Sequence, residues 1–108
     1  MIRSKDIADL LWLEPWEPVG AQRGASLNQE LRRELCPTHA LAGSTCRAIA
    51  TRIDRDDVLY VVDEARLAIV HLTWRREVDP RWPATTMISD LDAFVANHMR
   101  PDHEEFTT

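Results

Sequence analysis

The sequence predicts an α+β domain, an antiparallel meander of three to four strands packed by two or three helices. Three observations predict it. Residues 46–74 hold three runs of apolar and β-branched residues divided by short polar connections. Apolar residues recur at helical spacing on both sides of that stretch, at Leu27, Leu31 and Leu35 and again at Leu91, Phe94, Val95, His98 and Met99. The chain has 108 residues, 44% hydrophobic and 29% charged, which is the size and composition of one globular domain.

Along the chain, Ser4 is placed to cap a short helix running to about Leu13, with Ile7, Leu10 and Leu11 on one face. Pro15 and Pro18 stop it. Residues 14–25 carry both of these prolines and two of the three glycines, so they read as an irregular connection, and residues 1–25 as a partly irregular arm. A second helix opens at Ser26, which has capping-box spacing to Gln29, and closes before Pro37. Gly43 and Ser44 mark a turn. Strands follow at 46–53, 58–63 and 66–74, and the connections Asp54-Arg55-Asp56-Asp57 and Glu64-Ala65 are short enough for antiparallel neighbours. Neither turn contains glycine, so the primed-turn signal is missing. Thr85 to Ile88 can add a fourth strand. Ser89 and Asp92 have capping spacing for a last helix that Pro101 ends.

With Ile53 facing Val58 and Val62 facing Leu67, one sheet face carries Ile49, Thr51, Ile53, Val58, Tyr60, Val62, Leu67, Ile69 and His71. The other carries Ala48, Ala50, Leu59, Val61, Ala68, Val70, Leu72 and Trp74. Both are apolar, whereas a half-solvated antiparallel sheet alternates apolar with polar residues. Something must therefore cover each face. A three-layer single chain and a dimer sharing a sheet face satisfy that requirement equally.

The net charge of −5 argues against a general binder of phosphate backbones, so a nucleic-acid partner is not expected. No apolar run reaches the ~20 residues that span a bilayer, so no membrane partner is expected either. The opening residues carry no apolar run ending in a small-residue cleavage site, which points to the cytoplasm. In that compartment Cys36 and Cys46 read as free thiols.

Several residue groups invite a chemical reading. His71 lies in the apolar run Ile69-Val70-His71-Leu72-Thr73-Trp74, where an imidazole is hydrogen-bonded or lies near solvent. It is either a structural histidine tying the strand to a loop or a ligand-contacting, proton-transferring one, with Thr73 beside it. Cys36, His39 and Cys46 form a C-x2-H-x6-C array, but the second ligand pair that zinc wants is absent, so no metal and no other cofactor is expected. Asp54, Asp56 and Asp57 lack the glycine and the ligand number of a calcium loop and read as a polar turn. His98, Asp102, His103, Glu104 and Glu105 read as a charged end, with Pro101 between the histidines. The arginine pairs Arg32-Arg33 and Arg75-Arg76 are local positive spots. Trp74 and Trp82 flank an arginine-rich loop and can serve either recognition or packing, since Trp and Arg dominate binding hot spots. No glycine-rich phosphate loop, dinucleotide fingerprint or nucleophile elbow occurs.

The run Val70-His71-Leu72-Thr73-Trp74, preceded by Asp56-Asp57-Val58-Leu59 and followed by Trp82-Pro83 and Asp102-His103-Glu104-Glu105-Phe106, resembles a group of small bacterial proteins with no assigned activity. The likeness covers residues 26–106. It implies a bacterial origin and an independent domain, transfers no reaction, and directs attention to His71, Thr73, Trp74 and Trp82. The first functional expectation is a non-catalytic interaction domain that meets a protein partner, or a second copy as a homodimer, through a sheet face or through His71, Thr73, Trp74, Arg75, Arg76 and Trp82. The alternative is a small-molecule-binding protein or small enzyme centred on His71.

Overall fold

A computed structural model describes residues 2–108. Helix α1 is short, Ser4–Ala8, and is followed by strand β1, Trp16–Pro18. Helix α2, Ala21–Glu34, leads into strands β2 (Cys46–Arg52), β3 (Asp57–Val62), β4 (Arg66–His71) and β5 (Ala84–Ile88). Helix α3 closes the chain, α-helical over Leu91–Phe94, π-helical over Val95–Met99 and α-helical again over Arg100–Thr107. The strands form one antiparallel sheet in the order β1-β2-β3-β4-β5, a five-stranded meander. Among the described residues no helix is long and apolar enough to cross a membrane.

The meander therefore has one strand more than the sequence suggests. Pro15 and Pro18 hid β1, yet proline is tolerated on an edge strand, where its missing N–H faces outward. Nor are residues 21–25 irregular. They form the first turns of α2, capped at Gly20, and Ser26 lies inside the helix with its hydroxyl donating to Gln22 O at 3.3 Å. Gly24 is buried where α2 crosses β2, with Ala48 O 3.5 Å from where a Cβ would stand. Asn28 Oδ1 accepts the Ala48 N–H at 2.7 Å and so satisfies β2 beyond the end of β1.

Register corrects the assignment of faces. Val62 pairs with Arg66 and Val61 with Leu67, one residue from the pairing the sequence suggested, and Thr51 rather than Ile53 opposes Val58. The cause is a tight turn at 62–65, closed by Ala65 N donating to Val62 O at 3.1 Å, with Asp63 and Glu64 both at φ 55°. That handedness usually calls for Asn or Gly. Here neighbours hold it: Asp63 Oδ1 accepts the Thr45 N–H at 2.8 Å, and Glu64 pairs with Arg47 at 3.0 Å. A bulge between Ala48 and Ala50 turns Ile49 and Ala50 towards the same core.

Two apolar cores result, one on each face. The first joins Ile49, Ala50, Leu59, Val61, Leu67 and Ile88 to Trp16, Phe94 and Met99. The second joins Ala48, Val58, Tyr60, Val62, Ala68, Val70 and Leu72 to Leu27, Leu31 and Leu41. Helix α3 and the amino-terminal arm cover the first face, and α2 with the 35–45 connection covers the second. Three layers within one chain is thus the arrangement found, and neither sheet face is left open for sharing.

Helix α3 does not end at Pro101. The π-helical turn just before it widens the backbone where the proline ring would otherwise strike the preceding carbonyl. Its cap is Asp90, whose side chain accepts the Ala93 N–H at 2.8 Å, one residue after the predicted Ser89. Carried past the proline, Asp102 reaches the Trp16 indole N–H at 2.9 Å and Arg52 at 3.4 Å, and His103 Nδ1 lies 2.6 Å from Glu14 O. The charged carboxyl end is therefore a tether between α3 and the β1 edge.

Candidate functional site

The segment between β4 and β5, residues 72–83, carries most of the residues the sequence singled out. Its inner side is fastened by two buried groups. Glu34, at the last turn of α2, is fully buried with 0% exposure. Its carboxylate accepts the Thr73 N–H at 2.8 Å, the Thr73 hydroxyl at 3.1 Å and the Trp74 N–H at 2.9 Å, while its backbone carbonyl accepts the Glu77 N–H at 3.2 Å. Burial first, and then the hydrogen bond with Glu30, push the Glu34 carboxyl above its ordinary range. Glu30 is pulled the other way: burial would raise it, but its hydrogen bonds with Glu34 and Arg33 prevail.

The second fastening is His39, also buried. Its Nε2 meets Pro83 O at 2.9 Å and lies 3.4 Å from Thr85 Oγ1, while its Nδ1 accepts the Leu41 N–H at 3.0 Å. An imidazole that accepts at Nδ1 carries its proton on Nε2, the nitrogen that donates to Pro83. Thus His39 is a structural bridge between the 35–45 connection and the start of β5.

Trp74 pays for this anchoring in backbone strain. It sits at φ 63°, a left-handed conformation that costs a bulky residue about 1–2 kcal/mol. Hydrogen bonds from Thr73 and Trp74 to one buried carboxylate hold it there. The outer side of the segment is correspondingly apolar and cationic: Trp74 is 50% exposed, Val78 87% and Trp82 45%. Arg75 and Arg81 fold back on Glu77 at 3.2 Å and Asp79 at 2.7 Å, and Arg81 draws the Asp79 carboxyl below its ordinary range.

Arg76 and Val78 share a concavity of about 330 Å³ with Arg32, Arg33, Leu35, Cys36, Pro37 and Glu77. Arg76, far away in sequence, therefore meets Arg32 and Arg33 where α2 ends, while Arg75 does not line this concavity. Arg33 is paired with Glu30 at 2.8 Å, whereas Arg32 and Arg76 form no ion pair among the described residues.

The predicted set is thus split. Trp74, Arg75, Arg76 and Trp82 belong to the displayed segment. Thr73 spends its hydroxyl on Glu34 and on Arg75 O at 3.3 Å, and so positions the segment instead of facing a ligand. His71 ends β4 with its side chain on the α3 face, 52% exposed, its Nδ1 2.7 Å from Asp57 Oδ1 on the paired strand. Three further concavities of about 220 to 480 Å³ lie elsewhere, and neither they nor the arginine-lined one includes His71. Among the described residues no group of three or more His, Cys, Asp or Glu is arranged to hold a metal ion. Both cysteines are free. Glu34 and His39 were missed as anchors, although one signal was present: Glu34 falls seven residues after Leu27 and three after Leu31, on the apolar stripe of its helix.

The chain matches no protein-family model, no curated protein and no solved structure.

Proposed function

We propose that the chain is a non-catalytic protein-interaction domain that binds an acidic partner segment carrying an apolar anchor, through residues 72–83 and the adjoining end of α2. One observation carries the reading: Trp74 is held in a strained, half-exposed conformation by a buried carboxylate. Strain of this kind persists where surrounding structure over-determines it, and it clusters at sites of recognition or catalysis. Around Trp74 the chemistry suits recognition, because the same segment exposes Trp74, Trp82 and Val78, Val78 shares a concavity with Arg32 and Arg76, and a rigid loop loses little entropy on binding. His71 is half exposed beside a largely buried Asp57, and it lines none of the four concavities described above, which gives the small-molecule reading less support.

Selection of a random displayed peptide library on the immobilised chain tests the reading. The expected result is enrichment of peptides combining Asp or Glu with an aromatic or branched apolar residue. Trp74→Ala and Trp82→Ala should weaken their binding at least about tenfold, the scale of a hot-spot residue, with the melting transition retained. Equal binding by both folded variants contradicts the reading. Failure of Trp82→Ala to fold assigns that residue to packing. Salt-dependent heparin retention abolished by Arg32→Glu and Arg76→Glu, with no peptide selected, points to nucleic acid instead.

A further inference from the structure

We propose that two copies of the chain join edge to edge through β5, antiparallel about a two-fold axis at Thr86, to make one sheet continuous through both. The two edges of the meander differ in a way that favours this. Strand β1 has three residues, contains Pro18 and exposes Glu17, which are devices that block pairing with another chain. Strand β5 has five residues, Ala84 to Ile88, with no charge and no proline among them, and Thr86 and Met87 are exposed.

Register says which backbone groups are free. Leu72 N donates to Asp56 O at 3.0 Å, directly across the β3–β4 pair, so residues 66, 68 and 70 also turn their backbone groups towards β3. Residues 67, 69 and 71 then turn theirs towards β5 and bond Ile88, Thr86 and Ala84. The N–H and C=O groups of Thr85 and Met87 point away from the sheet. With the axis at Thr86, Thr85 lies across from the partner's Met87 and exchanges N–H···O bonds with it in both directions. Thr86 faces the partner's Thr86 in a close, non-hydrogen-bonded pair.

Charge selects the antiparallel arrangement of two identical copies. Arg81 lies just before β5 and is well exposed, its guanidinium held by Asp79 at 2.7 Å with further donors free for a second carboxylate. Just after β5, Asp90 and Asp92 line a concavity of about 440 Å³ together with Asp6 and Asp9. The two-fold brings Arg81 of each copy to the partner's Asp90 and Asp92. A parallel pairing would set arginine beside arginine and aspartate beside aspartate. The surface adjoins residues 72–83 at Arg81, and the positions substituted below, Thr86 and Met87, make no hydrogen bond to Glu34 or His39.

Sedimentation velocity over a micromolar concentration series tests this on the whole chain. The wild type should sediment at twice its 12.4 kDa mass. Thr86→Lys, which sets like charges across the axis, and Met87→Pro, which removes an outward N–H, should each return it to monomer with circular dichroism unchanged. In a Cys36→Ser, Cys46→Ser background, oxidised Thr86→Cys should form a covalent dimer in high yield. A wild type that stays at 12.4 kDa throughout overturns the proposal, and so does a dimer that survives both β5 substitutions with its fold intact. Failure of Thr86→Cys to cross-link a sedimenting dimer overturns the Thr86-centred register.

Discussion

At the scale of single residues, Glu34 organises the candidate site. Replacing it with alanine leaves the Thr73 and Trp74 N–H groups without an acceptor, and an orphaned buried donor costs about 1–3 kcal/mol. Glu34→Ala should therefore lower the unfolding free energy by about 2–4 kcal/mol, and Glu34→Gln, which keeps one acceptor, by less. Burial raises the Glu34 carboxyl in the folded chain, so the folded state holds its proton to higher pH than the unfolded state does. Stability from this group is then highest below its unfolded value and falls as pH rises through the folded value. Urea unfolding of the wild type and of Glu34→Gln between about pH 4 and pH 8 should show a wild-type advantage that shrinks as pH rises. A constant difference across that range contradicts the assignment. The sequence offered Trp74, Trp82 and the arginines by residue type, and it also placed Glu34 on an apolar stripe. What it withheld was the acceptor role, because no local pattern says that a helix end will meet a loop thirty-nine residues away.

At the scale of elements, the clearest surprises have steric causes. Pro101 reads as a stop, and a π-helical turn removes the clash that would make it one. Pro15 and Pro18 read as irregular chain, and an edge strand tolerates them. The β3–β4 turn lacks glycine and is one residue longer than its sequence suggests, so every side chain of β4 takes the opposite face relative to β3. By contrast, apolar periodicity located β2, β3, β4 and most of α2, because burial of those side chains is what forms them. Continuation of α3 past Pro101 has a measurable consequence. Asp102 binds the Trp16 indole and Arg52, whose aliphatic stem is largely buried. Asp102→Ala should cost about 2–3 kcal/mol in denaturant unfolding by leaving a buried N–H unpaired. A loss below about 0.5 kcal/mol would mean that the tether is only a surface contact.

At the scale of the whole molecule, α2 and α3 close both faces of the sheet, so neither sheet face is itself open to a partner. The radius of gyration of 13.3 Å fits a single compact domain of this length. Two surfaces then differ from ordinary solvated surface: the uncharged β5 edge, and the outer side of residues 72–83. The central claim is that this second surface is a rigid, prepared element and not a floppy connection. Amide hydrogen exchange read residue by residue tests it without any partner. Slow exchange is expected at Thr73 and Trp74, bonded to the Glu34 carboxylate, and at Glu77, bonded to the Glu34 backbone carbonyl, beside fast exchange at Arg75, Arg76 and Val78; Glu34→Ala should speed exchange at Thr73 and Trp74. Uniformly fast exchange from Thr73 to Trp82 in the wild type would contradict it.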